Sequence, residues 1–323
     1  MPRPDPHRAV LALTLSLAAG TPAAARAAEV IANVRGQFGT QALQAGELRL
    51  QDAPLRSVLT ATHVDGSEVR LRLNELTYDR ALAGGFFSAG KKVMSWDVGY
   101  AFRPLDVVQR EDRRAVNPLA LEGVPMLAWE HFAADSATTV VWANPGRGEA
   151  ASAIAQKDDE AIAIRQYIQR GSRDEYAVLR LSRRNGIEAG ASFSQVASDG
   201  IELHASLLWQ QRPARGGKAL AGFTWTTESK FSVLGEAWTD RSAMPGQQHN
   251  RLLRASQYFD DVEVSADVLW QPHDGYMPGS RIATFSASWK ASPWLLSASY
   301  RHFEGTAGRY AKDLALASIQ RGF

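Results

Sequence analysis

The chain has 323 residues, no cysteine, and 36 Lys+Arg against 34 Asp+Glu. Zero cysteine excludes a disulfide scaffold, a thiolate zinc site, a catalytic thiol and a lipid-modified N-terminal cysteine. A mean hydropathy of −0.25 argues against a bundle of membrane helices but not against a membrane β-barrel, whose strands alternate apolar and polar residues.

The N-terminus carries basic Arg3, His7 and Arg8, then the short apolar run Ala9 to Ala19, then Ala25-Arg26-Ala27. This is the pattern of a secretory signal peptide over residues 1–27, with cleavage after Ala27. Removing it takes away Arg3, Arg8, Arg26 and Asp5 and leaves 33 basic and 33 acidic residues. The mature chain is formally neutral, so the precursor pI of 8.9 is no sign of nucleic-acid affinity. Export by this route points to a Gram-negative periplasmic or outer-membrane protein. Residues 28–54 read as an N-terminal extension or an extra hairpin.

From there on the apolar period is two, not 3.6. Strands are expected near 55–64, 67–79, 85–96, 123–133, 136–144, 160–170, 173–182, 186–197, 200–211, 217–227, 230–240, 249–260, 262–271, 280–291, 294–304 and 310–323. In 200–211, Ile201, Leu203, Ala205, Leu207 and Trp209 share one face, and Glu202, His204, Ser206, Leu208 and Gln210 the other. In 262–271, Val262, Val264, Ala266, Val268 and Trp270 oppose Glu263, Ser265, Asp267, Leu269 and Gln271. Runs of about 10 residues suit a tilted membrane-crossing strand better than a globular strand of about 5 to 6. Tryptophans lie near the strand ends, where an interfacial girdle needs them.

The connections mostly alternate long and short, with tight turns at Ser198-Asp199-Gly200, Glu228-Ser229, Asp260-Asp261 and Ser292-Pro293. The rhythm weakens at Arg184-Asn185-Gly186. Long loops at one end and short turns at the other are the habit of outer-membrane barrels. The expected fold is therefore all-β: a single transmembrane antiparallel barrel of about 16 strands (14 to 18) over residues 55–323. The terminal Phe323 resembles the C-terminal signal that engages the barrel-assembly machinery.

The longest break is Asp97 to Glu122, which holds Arg103, Asp106, Arg110, Glu111, Asp112, Arg113 and Arg114. Two readings stand. The loop folds into the lumen, where its opposed charges orient a passing solute, or it is a solvated surface loop. Its apolar residues (Tyr100, Phe102, Leu105, Val107, Val108) argue against disorder.

Gly90, Lys91, Lys92, Trp96, Pro104 and Asp106 resemble a strand-and-loop pattern of large porin-like barrels in proteobacteria, a group related to alginate-export and substrate-selective porins. The resemblance covers Gly85 to Asp106, about 22 residues. It implies that this region lies near the pore constriction, and it implies no substrate.

Metalloprotease, P-loop, nucleophile-elbow and EF-hand patterns are absent. No cofactor, metal, catalytic residue or nucleic-acid partner is expected. The expected function is passive passage of small polar solutes through an outer-membrane porin. The charges expected to line it are Arg70, Arg72, Lys92, Glu130, Arg165, Arg180, Glu202, Glu236, Glu263, Asp267 and Arg301, with the 97–122 loop as constriction. The expected partners are outer-membrane lipid and small polar solutes, and an oligomer is compatible with the sequence. The first alternative is a barrel plugged by side chains or by residues 29–52, serving export or surface assembly. The second is a lipid-acting barrel enzyme.

Overall fold

A computed structural model describes residues 29–38, 43–64, 66–109, 121–145, 159–212, 215–243, 247–273, 278–310 and 313–322. The expected signal peptide and Phe323 lie outside the described residues, as do Arg110, Glu111, Asp112, Arg113 and Arg114.

Eighteen strands form one antiparallel sheet that closes on itself, because the first strand pairs with both the second and the last. They are β1 (Glu29–Phe38), β2 (Leu43–Asp52), β3 (Leu55–Val64), β4 (Arg70–Leu82), β5 (Gly85–Lys92) and β6 (Val124–Phe132), followed by β7 (Ser136–Ala143), β8 (Ala161–Arg170), β9 (Arg173–Ser182), β10 (Gly186–Ser198), β11 (Ile201–Gln210) and β12 (Gly216–Thr226). The last six are β13 (Phe231–Asp240), β14 (His249–Phe259), β15 (Val262–Gln271), β16 (Ser280–Ala291), β17 (Trp294–Gly305) and β18 (Leu314–Gly322). Among the described residues one short helix, α1 (Thr306–Tyr310), occurs, between the last two strands. Closure leaves no strand edge unpaired, which a sheet in hydrocarbon requires.

The wall has two more strands than the sixteen counted from the sequence, within the accepted 14 to 18. The added pair is β1 and β2, so residues 29–38 and 43–52 are wall and not a plug. Three boundaries also differ. The strand expected over 85–96 leaves the sheet at Lys92, and those expected at 67–79 and 310–323 run over 70–82 and 314–322.

Tight connections fall at one end, at residues 53–54, 83–84, 133–135, 171–172, 199–200, 227–230, 260–261 and 292–293. The other end carries the longer ones, 93–123 and 144–160 longest, with 39–42 and 183–185 the short exceptions.

The two faces of each strand differ as the period-two pattern requires. In β11, Ile201, Leu203, Leu207 and Trp209 are exposed, whereas His204, Ser206, Leu208 and Gln210 are buried. The exposed face is apolar all round: Leu71 is 70% exposed, Leu207 64%, Phe285 60% and Ile162 56%. So large an apolar surface is stable against lipid and not against water. Leu207→Arg on this face is expected to cost about 2–4 kcal/mol in vesicles, and Gln320→Arg on the inner face under about 1 kcal/mol. Urea unfolding of the refolded barrel measures both.

Candidate functional site

After Lys92 the chain enters the barrel. Residues 93–109 touch the inner faces of strands far apart around the sheet, which only a segment inside a closed barrel can do. Trp96, Leu105, Val107 and Val108 pack with Val124, Met126, Val141, Ala163, Val178 and Leu208, from β6, β7, β8, β9 and β11. Ala101 and Phe102 pack against Leu220, Leu234, Trp238, Leu252 and Leu269, from β12 to β15. Phe102 stacks on Trp238 with ring centroids 5.7 Å apart. Fit is close at the backbone: a Cβ on Gly99 would lie 2.0 Å from the Phe102 carbonyl oxygen, and one on Gly190 would lie 2.5 Å from Leu105.

Polar groups pin the same segment. Glu236 of β13 is buried, and its carboxylate accepts hydrogen bonds from the backbone N–H groups of Tyr100 at 2.6 Å and Ala101 at 2.8 Å. His204 Nε2 of β11 lies 3.1 Å from the same carboxylate. The Tyr100 ring meets His204 edge-on. Asp97 accepts from Ser206 of β11 and from the N–H groups of Val98 at 2.8 Å and Leu105 at 2.6 Å. Asp106 accepts from the N–H groups of Trp96 and Asp97 and from the Ser95 hydroxyl, and pairs with Arg103 at 3.6 Å. Arg103 also donates to Ser95 and to the Asp97 carbonyl.

Burial pushes the Asp97 carboxyl above the ordinary aspartate range, against lowering by Ser206, the Leu105 and Val98 N–H groups and Arg103. Burial does the same for Asp106, against Arg103, the Trp96 N–H, Ser95 and the Asp97 N–H. At the segment's end the Gln109 amide accepts from Met94 N–H and donates to the Glu122 carbonyl. Irregular backbone can therefore sit inside the wall with many of its N–H groups met by side-chain acceptors.

The expected site residues fall into three groups. Arg103, partly buried, and the buried Asp106 and Glu236 are parts of this anchor. Arg180 is buried in the wall, paired with Glu188 and with Asp159 at 3.3 Å. Lys92, Glu130, Arg165, Glu202, Glu263, Asp267 and Arg301 are partly exposed inner-face charges. Lys92 reaches Asp79 at 3.1 Å, and Arg165 lies 3.6 Å from Glu130 and 5.8 Å from the Trp96 ring centroid. Glu202 takes a bond from Ser194, and Asp267 lies 3.5 Å from Arg254. Arg301 donates to Thr284. Arg70 and Arg72 start β4 at the long-loop rim, and Arg72 lies 3.3 Å from Glu122.

Sequence reasoning singled out neither Asp97 nor His204 as anchors. Their partners lie 109 and 32 residues away, and no local spacing signals them. His204 and Ser206, which share the polar face of β11, engage Glu236 and Asp97, and no His/Asp/Glu group suited to a metal occurs among the described residues.

No family model matches the chain, and no curated protein matches it in sequence. Solved structures do. OccAB2 of Acinetobacter baumannii aligns at TM-score 0.62 and 10% identity, over 92% of this chain and 98% of that one. Wzi of Escherichia coli, an outer-membrane protein described as a carbohydrate-binding β-barrel involved in group 1 capsule assembly, aligns at 0.64 and 11% over 90% and 84%. A Rhodopseudomonas blastica porin mutant aligns at 0.55 and 12% over 92% and 99%. The fold is thus that of the Gram-negative outer-membrane porins.

Glu236→Ala leaves two segment N–H groups and His204 without their acceptor, each at about 1–3 kcal/mol. Limited chymotrypsinolysis of the refolded barrel is expected to leave Tyr100 and Phe102 uncut in the parent chain and in Glu236→Gln, and to cut after them in Glu236→Ala.

Proposed function

We propose that the protein is an outer-membrane porin through which small polar solutes diffuse passively, with residues 93–109 narrowing the lumen. The observation that carries this reading is the pinned segment. It packs on the inner faces of strands from β6 to β15 and is fixed by buried carboxylates rather than left loose. A fixed partial obstruction sets a pore size, whereas an unpinned one would not. The fold shared with solved porins and the apolar outer face support placement in the outer membrane.

The charges beside the segment occur in compensated pairs, Lys92 with Asp79, Arg165 with Glu130 and Arg254 with Asp267. Such pairing sets transverse fields without a strong net sign. Weak ion selectivity follows from it. The runner-up is a non-conducting barrel in export or surface assembly. The likeness to Wzi, itself described as acting in capsule assembly, keeps that reading in view.

Planar-bilayer recording separates the two. The porin reading predicts stable ohmic steps, with cation-to-anion permeability ratios within about threefold of unity. It also predicts at least a twofold larger step when residues 94–109 are replaced by a short Gly/Ser linker. A folded barrel that stays silent, with and without the segment, contradicts it.

A further inference from the structure

The inner face of β13 to β18 is ordered in bands, because residues paired across neighbouring strands face the same side. Towards the long-loop end runs Glu236, Leu252, Leu269, Ile282 and Phe303, each the register partner of the next. This band holds the segment. Two residues further along each strand come Leu234, Arg254, Asp267, Thr284 and Arg301, a charged band.

The next band is all hydroxyl: Thr226, Ser232, Ser256, Ser265, Ser286 and Ser299, register partners across six strands from β12 to β17. Beside it lie Tyr258, Glu263, Ser288, Ser297 and Ser318, from β14 to β18. The hydroxyls bond one another sideways, at 3.1 Å for Thr226 and Ser232, 2.7 Å for Ser265 and Ser286, and 2.5 Å for Ser297 and Ser318. Ser299 is 9% exposed, and its hydroxyl has no hydrogen-bond partner among the described residues. Tyr258, which donates to Glu263, is 46% exposed on this same face.

A serine hydroxyl can donate and accept in turn. A row of them can therefore exchange water for the hydroxyls of a solute, and pass that solute along, without binding a fixed charge. From Ser232 to Ser299 the row spans about 19 Å, at about 4.8 Å between strands. That length suits a short chain of sugar rings, and the half-exposed Tyr258 ring offers a flat apolar surface for the C–H face of one ring.

Resting on the porin reading above, we infer that this hydroxyl band is a contact track for uncharged polyhydroxylated solutes of oligosaccharide class. It lies on the turn-end side of the docked segment. Selectivity on this account is set in two stages, size by the segment and chemistry by the track.

Maltotriose added to the barrel in a planar bilayer tests the track, with a polyethylene glycol of matched size as the comparator. Maltotriose is expected to interrupt the current saturably, and the glycol, which lacks the hydroxyls, is not. The variant Ser286→Ala/Ser288→Ala/Ser297→Ala should raise the half-blocking concentration about tenfold or more, with open conductance changed less than twofold. The corresponding threonine variant should restore block. Equal interruption by both solutes, or block indifferent to the alanines, overturns the track while steady conductance leaves the channel reading standing. Should the barrel be silent, titration calorimetry of maltotriose into the detergent-solubilised protein decides. Binding lost in the alanine variant supports the track without the channel, and no binding overturns it.

Discussion

One buried carboxylate does more than any other group to set the shape of the lumen. Glu236 receives two consecutive backbone N–H groups of a segment 135 and 136 residues earlier in the chain, and His204 beside them. A loop carried into a barrel brings peptide groups away from bulk water, and each unmet one costs free energy. Glu236 meets two from the wall, while Asp97 and Asp106 meet others from within the segment. The apolar contacts of Phe102 and Leu105 add burial, but burial is non-directional and fixes no register. The carboxylates supply the direction.

Everything functional in the account follows from that fixture. The segment packs on the inner wall from β6 to β15, and on the β14 to β18 face the charged and hydroxyl bands lie on its turn-end side. Arg103 and Asp106, the described members of the densest charge cluster in the sequence, are engaged in holding the segment's own backbone and each other. What remains on the open side is a charged band in compensated pairs and a broad band of hydroxyls. A lumen of that kind discriminates by size and hydrogen bonding more than by net charge.

Much of this was legible beforehand. Alternation in 200–211 and 262–271 assigned both faces correctly, because a period of two is local and needs no partner. Turn rhythm gave the antiparallel barrel and its long-loop end. β1 and β2 escaped the count because Glu29 to Asp52 holds glycine and charge on a weakly alternating pattern. The sequence cannot show that Arg103 and Asp106 bind each other and the local backbone instead of a solute, since both uses need the same residue types. Nor can it show that Asp97 meets Ser206. The hydroxyl bands were present as the scattered serines of six separate strands, and only the register lines them up.

The central claim is that residues 93–109 are docked on the inner wall in the membrane-embedded protein. Its most direct test uses the absence of native cysteine. The pair Phe102→Cys and Trp238→Cys, whose parent rings stack 5.7 Å apart, is treated in vesicles with a short bifunctional thiol reagent. The control pair is Phe102→Cys with Gln320→Cys on β18. Docking predicts rapid, near-complete cross-linking of the first pair and little of the control. Equal and slow reaction of both pairs would contradict it.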